Sequence, residues 1–157
     1  MFKLVVSPKS YWNEETEEFV TIKGAKLLLE HSLLSISKWE ATWKKPFLDD
    51  NDKTRAQLLD YVRCMTITAN VDPNVYVGIS DKELSKVTRY IRDSQTATWF
   101  REDPNTPKKS SKKVTSELIY YWMVQHGIPF SCEKWHLNRL LTLIRICNAN
   151  QELDNIE

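Results

Sequence analysis

Hydrophobic and polar positions alternate from residue 2 to residue 6, with Phe2, Leu4 and Val6 set against Lys3 and Val5. This period of two suits a short strand. A polar stretch broken by Pro8 and Asn13 follows. Residues 18–22 then carry β-branched Val20, Thr21 and Ile22 and favour a second strand. Residues 2–30 therefore read as a β-hairpin with a long loop. Glu14, Glu15, Glu17 and Glu18 form a solvated charge run at its tip. Gly24 permits a bend, after which residues 25–34 continue as extended chain.

From residue 37 the period becomes helical. Ser37 and Glu40 make a capping-box pattern, predicting a helix that ends before Pro46 and carries Trp39 and Trp43 on one face. Thr54 and Gln57 make a second such pattern, opening a helix with Leu58, Leu59, Tyr61, Val62 and Met65. Asp72 and Pro73 predict one short turn. Ser80 and Glu83 make a third box, ahead of the stripe Leu84, Val87, Tyr90 and Ile91. Residues 96–100 suit a short strand, and residues 101–113, rich in Lys and Ser with Pro104 and Pro107, a mobile loop. A further helix starts near Thr115 and ends at Gly127, ahead of Pro129.

The last and most strongly periodic segment spans residues 131–149, capped by Ser131. Its Leu137, Leu140, Leu141, Leu143, Ile144 and Cys147 cover more than half the circumference, which predicts burial between neighbours. Residues 151–157 read as an acidic tail. The pattern is α+β, mostly α: an N-terminal β-hairpin followed by a compact bundle of about five helices. It predicts a single globular domain over residues 1–150, with the helical core over 37–149.

Composition narrows the class. Hydrophobic residues make up 41% and charged residues 27% of 157 positions, the profile of a globular rather than a disordered chain. With 22 basic and 21 acidic side chains the net charge is +1, which supplies no general attraction for nucleic acid or membrane. Cys64, Cys132 and Cys147 are an odd number at irregular spacing, so no disulfide framework is implied and a reducing compartment is expected. No run approaches the ~20 apolar residues of a membrane helix. The apolar run after Lys3 is too short for a signal segment, and the cytoplasm is the expected location.

Candidate chemistry is sparse. On a helix, Cys132 and His136 stand one turn apart. Cys147 shares their face but lies eleven residues beyond His136, about 16 Å at ~1.5 Å per residue. That is too far for one zinc ion with ligands about 2 Å from the metal. A nucleophilic Cys132 with His136 as base lacks an orienting third residue on the same side, since Asn138 projects from the opposite one. No catalytic residue, metal or cofactor is expected, and no GxSxG, P-loop, GxGxxG or HExxH pattern occurs.

Binding is the remaining chemistry. Trp99 and Phe100 beside Arg101, Lys108, Lys109, Lys112 and Lys113 combine aromatic and basic residues, as single-strand binders do. The same run also suits a solvated loop. The last helix presents a narrow polar strip of Lys134, Asn138, Thr142 and Arg145, flanked by Trp135 and Arg139. A Trp beside an Arg serves either as a partner-binding pair or as a cation–π contact within the fold.

Three segments carry a resemblance: SLLSISKWEATWKKPFL, YVRCMTITANVDPNVY and TSELIYYWMVQHGIPFSCEKWHLNRLLTLIRICN. Together, over about residues 27–148, they resemble a family of small tailed-bacteriophage proteins of the tail-morphogenesis region. The resemblance implies a non-enzymatic tail assembly chaperone in the host cytoplasm. Its partner would be the phage tape-measure protein or other tail proteins, held soluble while the tube forms. A structural virion component, such as a connector or baseplate subunit, is the alternative expectation, followed by a nucleic-acid-binding module. Self-association is compatible with either, and no membrane partner is expected.

Overall fold

The structure, a computed structural model, describes residues 1–49, 52–100 and 113–154. Elements run in the order β1 (Phe2–Val6), β2 (Lys9–Asn13), β3 (Glu18–Ile22), β4 (Ala25–Leu29), α1 (Leu33–Trp43), α2 (Arg55–Met65), α3 (Asn74–Val77), α4 (Asp81–Arg92), α5 (Ser116–Gln125), a 3-10 turn (Phe130–Lys134) and α6 (Leu137–Asp154). The class is α+β, mostly α, as the periodicity predicts. Contacts group into two compact units, Met1–His31 with Lys53–Arg92, and Ser32–Asp52 with Asp93–Glu157.

In the first unit β1 pairs antiparallel with β4, Phe2 facing Leu29, and β2 with β3, Lys9 facing Ile22. The strand at residues 2–6 thus takes residues 25–29 as its partner, not residues 18–22. Both ladders keep one register, so the whole is a single long hairpin turning at residues 14–17. It is interrupted once, where Ser7 and Pro8 face Lys23 and Gly24. Pro8 has no amide to donate. A Cβ on Gly24 would lie 2.7 Å from the Val6 carbonyl oxygen and 2.9 Å from Pro8 Cδ, so the close approach requires glycine.

The proximal ladder is core. Leu4, Val6, Leu27 and Leu29 are buried, and α4 packs on β1 with Phe2 stacked on Tyr90, ring centroids 5.2 Å apart. The outer edge of β4 is covered: the Ile67 amide donates to Leu28 O at 2.8 Å and the Glu30 amide to Met65 O at 3.0 Å. The predicted capping boxes at Thr54 and Gln57 and at Ser80 and Glu83 both form. Helix α2 buries Tyr61, Val62, Cys64 and Met65. The Tyr61 hydroxyl meets the imidazole Nδ1 of buried His31, whose amide donates to the Tyr90 hydroxyl. Burial, then the nearby Cys64 and Tyr90, pushes the Tyr61 hydroxyl well above its ordinary value, so it stays protonated.

Glu83 also holds the interruption in the hairpin. Its carboxylate accepts the Ser80 amide at 2.9 Å and the Ser7 amide at 3.2 Å. Burial raises the carboxyl pKa, but the hydrogen bonds from Ser80 and Ser7, with Lys9 nearby, outweigh it and hold the group below the usual carboxylate range. A folded value below the unfolded one contributes stability that is present above the unfolded pKa of about 4.3. That stability is lost as pH falls through the lower folded value. Glu83→Gln should therefore be less stable than the wild type at neutral pH, with the gap closing as acid protonates Glu83. Denaturant unfolding at a series of pH values checks this; a gap that stays constant refutes the linkage.

In the second unit α1 packs on α5, and the 3-10 turn touches both α1 and α6. Helix α1 starts four residues before the predicted Ser37. Ser32 is its cap, accepting the Ser35 amide at 3.2 Å, while Ser37 lies inside the helix and donates to Leu34 O. The reason is apolar spacing: Leu33, Ile36 and Trp39, all buried, set one face that begins at residue 33. Helix α5 follows prediction, with Thr115 accepting the Leu118 amide. Gly127 at φ 65 closes it; its amide donates to Val124 O and the Ile128 amide to Met123 O, a Schellman end.

Residues 131–149 do not form one helix. Residues 130–134 make the 3-10 turn, Trp135 is extended, and His136 bridges Ser32. Helix α6 begins only at Leu137, where His136 takes the capping role expected of Ser131: its Nδ1 accepts the Asn138 amide at 3.2 Å. The helix continues to Asp154, through the first part of the expected tail; residues 155–157 lie outside the described residues. Its burial is also narrower than the apolar count predicts. Leu137, Leu140 and Ile144 are buried, while Leu141, Leu143 and Cys147 are partly exposed. No strand forms over residues 96–100.

Candidate functional site

Of the binding residues singled out from the sequence, Trp99, Lys134, Trp135, Asn138, Arg139 and Arg145 are described, and they fall in the second unit. Cys132 and His136, placed by sequence on one helix, belong to the 3-10 turn and the bridge before α6, so their shared-face geometry does not exist. Cys132 is buried. Among the described residues no three His, Cys, Asp or Glu side chains gather as a metal-binding group.

The Arg139 guanidinium lies 4.1 Å over the Trp135 ring, a cation–π contact within the fold. Lys134, in the 3-10 turn, is exposed. Asn138 donates from Nδ2 to Asp93 O at 2.7 Å, Thr142 donates to Asn138 O at 2.8 Å, and the Arg145 guanidinium lies 4.1 Å over the Phe100 ring. At Asn138 and Arg145, therefore, the expected binding strip meets the chain's own segment 93–100. Trp99 in that segment is 77% exposed. Lys108 and Lys109 lie outside the described residues.

A groove of about 400 Å³ in the same unit is lined by Ser37, Glu40, Lys44, Lys45, Ser116 and Tyr120, among others. Glu40 and Tyr120 serve the fold. Glu40 Oε1 accepts the Ser116 amide at 2.7 Å and Oε2 the Phe47 amide at 3.0 Å. Tyr120 donates to Glu133 Oε2 at 2.6 Å. Burial, then the Glu133 carboxylate, pushes the Tyr120 hydroxyl up to about 12, so it acts as a donor and not as a base.

The first unit holds a feature half of which, residues 9–13, has the pattern of a polar loop. Beyond the Pro8 and Gly24 interruption, β2 and β3 form a two-stranded arm. Alternation puts Lys9, Tyr11, Val20 and Ile22 on one face and Ser10, Trp12, Phe19 and Thr21 on the other. The first face is the less exposed one: Ile22 is buried, Lys9 and Val20 are half-buried and Tyr11 is 45% exposed. The groove of about 450 Å³ beside Ile22 is lined by Lys9, Ser10, Tyr11, Val77 and Gly78. The second face looks outward, and all four of its residues are exposed.

The bulkiest apolar pair of the arm thus stands on its solvent face. Trp12 is 50% and Phe19 74% exposed, and their rings meet edge-on with centroids 5.0 Å apart. Ser10 and Thr21 hydroxyls pair beside them at 3.3 Å. The turn beyond carries Glu14, Glu15 and Glu17, with Glu18 starting β3; Asn13 Oδ1 accepts the Glu15 amide and Glu17 is left-handed at φ 53. The missed signal is register: pairing Phe2 with Leu29 sets Trp12 opposite Phe19.

Among the described residues no helix is long and apolar enough to cross a membrane. Comparison with protein-family models, curated proteins and solved structures gives no match to this chain.

Proposed function

We propose that this chain is a non-enzymatic binding protein of phage tail morphogenesis: a tail assembly chaperone that engages the tape-measure protein in the host cytoplasm. The phage assignment rests on the resemblance of residues 27–148. The observation that carries the binding role is the outward Trp12–Phe19 pair. A chain that buries Trp39 completely and places Leu4, Val6, Leu27 and Leu29 inward has the means to bury large side chains. An aromatic pair kept on the solvent face of a narrow arm is instead available to a partner, and aromatic residues dominate binding energy at interfaces.

Co-expression with the tape-measure gene tests the reading. The tape-measure protein is expected to become soluble and to co-purify with the chain, and Trp12→Thr with Phe19→Thr to lose both effects. Threonine keeps strand propensity, so the arm's fold is retained. No gain in solubility and no co-purification would end the proposal. Detection of the chain in purified virions would favour a structural tail component.

A further inference from the structure

We propose that the outward face of the β2–β3 arm docks a cationic amphipathic helix of its partner, with the apolar stripe on Trp12 and Phe19 and Lys or Arg side chains against the acidic turn of Glu14, Glu15 and Glu17. This deepens the binding role above and rests on it. Two independent features of the arm meet here. The first is the exposed edge-on aromatic pair, which offers apolar area. The second is charge. Residues 9–22 carry one lysine and four glutamates, in a chain whose net charge is +1. Among the described residues, none of those four glutamates takes part in an ion pair. Like charges crowded at a turn repel one another, and an opposing cationic segment relieves that repulsion as it docks.

The spacing defines the occupant further. Glu14 opens the turn two residues past Trp12, at most about 7 Å along the chain at ~3.3–3.6 Å per residue. One helical turn rises about 5.4 Å. A helix laid along the arm with Lys or Arg three or four positions from an apolar anchor therefore meets both features at once. The narrowness of a two-stranded ribbon also suits a single helix.

The test uses the full chain and three synthetic peptides of equal length, read by fluorescence anisotropy: a leucine–lysine amphipathic helix, its leucine–glutamate counterpart, and a scrambled leucine–lysine peptide without an apolar stripe. The amphipathic cationic peptide should bind at least about tenfold more tightly than the leucine–glutamate one, the sum of several exposed charge pairs, and more tightly than the scrambled one, which lacks the apolar stripe; its binding should weaken with added salt. Replacing all four glutamates (E14Q, E15Q, E17Q, E18Q) should remove the preference for lysine. Trp12→Thr should weaken the cationic peptide whatever the charge at the turn. A retained cross-strand NOE between Ser10 and Thr21, which face each other in the ladder, reports that the arm is still paired in each variant.

Equal binding of the lysine and glutamate peptides, or a preference that survives the four Glu→Gln changes, overturns the cationic assignment while leaving the arm as a docking surface. Equal binding of the scrambled peptide overturns the amphipathic helix. Binding that is indifferent to Trp12→Thr overturns the arm as the site. The tape-measure co-purification above is a separate readout, so the failure of that reading is distinguishable from the failure of this one.

Discussion

Trp39→Ala is expected to destabilise the unit built on α1 and α5 by about 3–5 kcal/mol, the range for deleting a buried large aromatic. Trp39 is 0% exposed. Its ring meets Phe47 edge-on at 5.2 Å, lies 6.3 Å from Trp43 and has Lys45 Nζ 5.8 Å from its centroid. Removing it deletes the transfer free energy of the indole and leaves a void whose lining loses contact. Domains are stable by only about 5–15 kcal/mol, so the change takes a large share of the total. Trp43, only half-buried one turn away, should cost less on truncation. Denaturant titration followed by tryptophan fluorescence reads mainly this unit, because five of the six Trp lie in it. A midpoint shift equivalent to less than about 1 kcal/mol, a typical surface effect, would show that the site collapses around the loss.

Glu40→Ala should cost about 3 kcal/mol or more, because one carboxylate satisfies two backbone amides. The Ser116 amide at 2.7 Å and the Phe47 amide at 3.0 Å both belong to buried residues. Hydrogen bonds to a charged acceptor are worth about 1.5–3 kcal/mol each, and a buried donor left unpaired forfeits its desolvation. The Ser116 bond also places negative charge at the start of α5, where the helix dipole favours it. Glu40→Gln keeps one acceptor oxygen and turns an NH2 group toward the other amide, so it should fall between wild type and alanine. The same fluorescence-detected denaturation checks the order. An alanine variant as stable as the glutamine variant would mean that water replaces the second oxygen.

Glu40 also shows where local pattern stops. From sequence, Ser37 and Glu40 make a capping box identical in form to Thr54 with Gln57 and Ser80 with Glu83. Two of the three boxes close. The third does not, because the apolar face of Leu33, Ile36 and Trp39 starts the helix earlier and Ser32 caps it. Burying that stripe outweighs a cap worth about 1 kcal/mol. Glu40 is then free to turn to amides that sequence could not bring near it, one of them 76 positions away. Helix α6 teaches the same lesson. Its periodicity is continuous from residue 131, but the His136 bridge to Ser32 pulls the chain into extended geometry and delays the helix to Leu137.

By itself the sequence determined what depends on neighbours along the chain: the α+β class, the caps at Thr54, Ser80 and Thr115, the Gly127 terminus, and the helices of residues 55–65, 81–92 and 116–125. Spacing and propensity act within a few residues, so they are legible without a fold. Tertiary structure alone decided what depends on pairing. The strand patterns at residues 2–6 and 18–22 fit several partners, and only the ladder to Ala25–Leu29 buries Leu4, Val6, Leu27 and Leu29 together. That register then sets Trp12 opposite Phe19 and turns both outward. A strand's two faces are equivalent until something packs against one of them. For that reason the candidate binding surface, unlike the helices, could not be found along the chain alone.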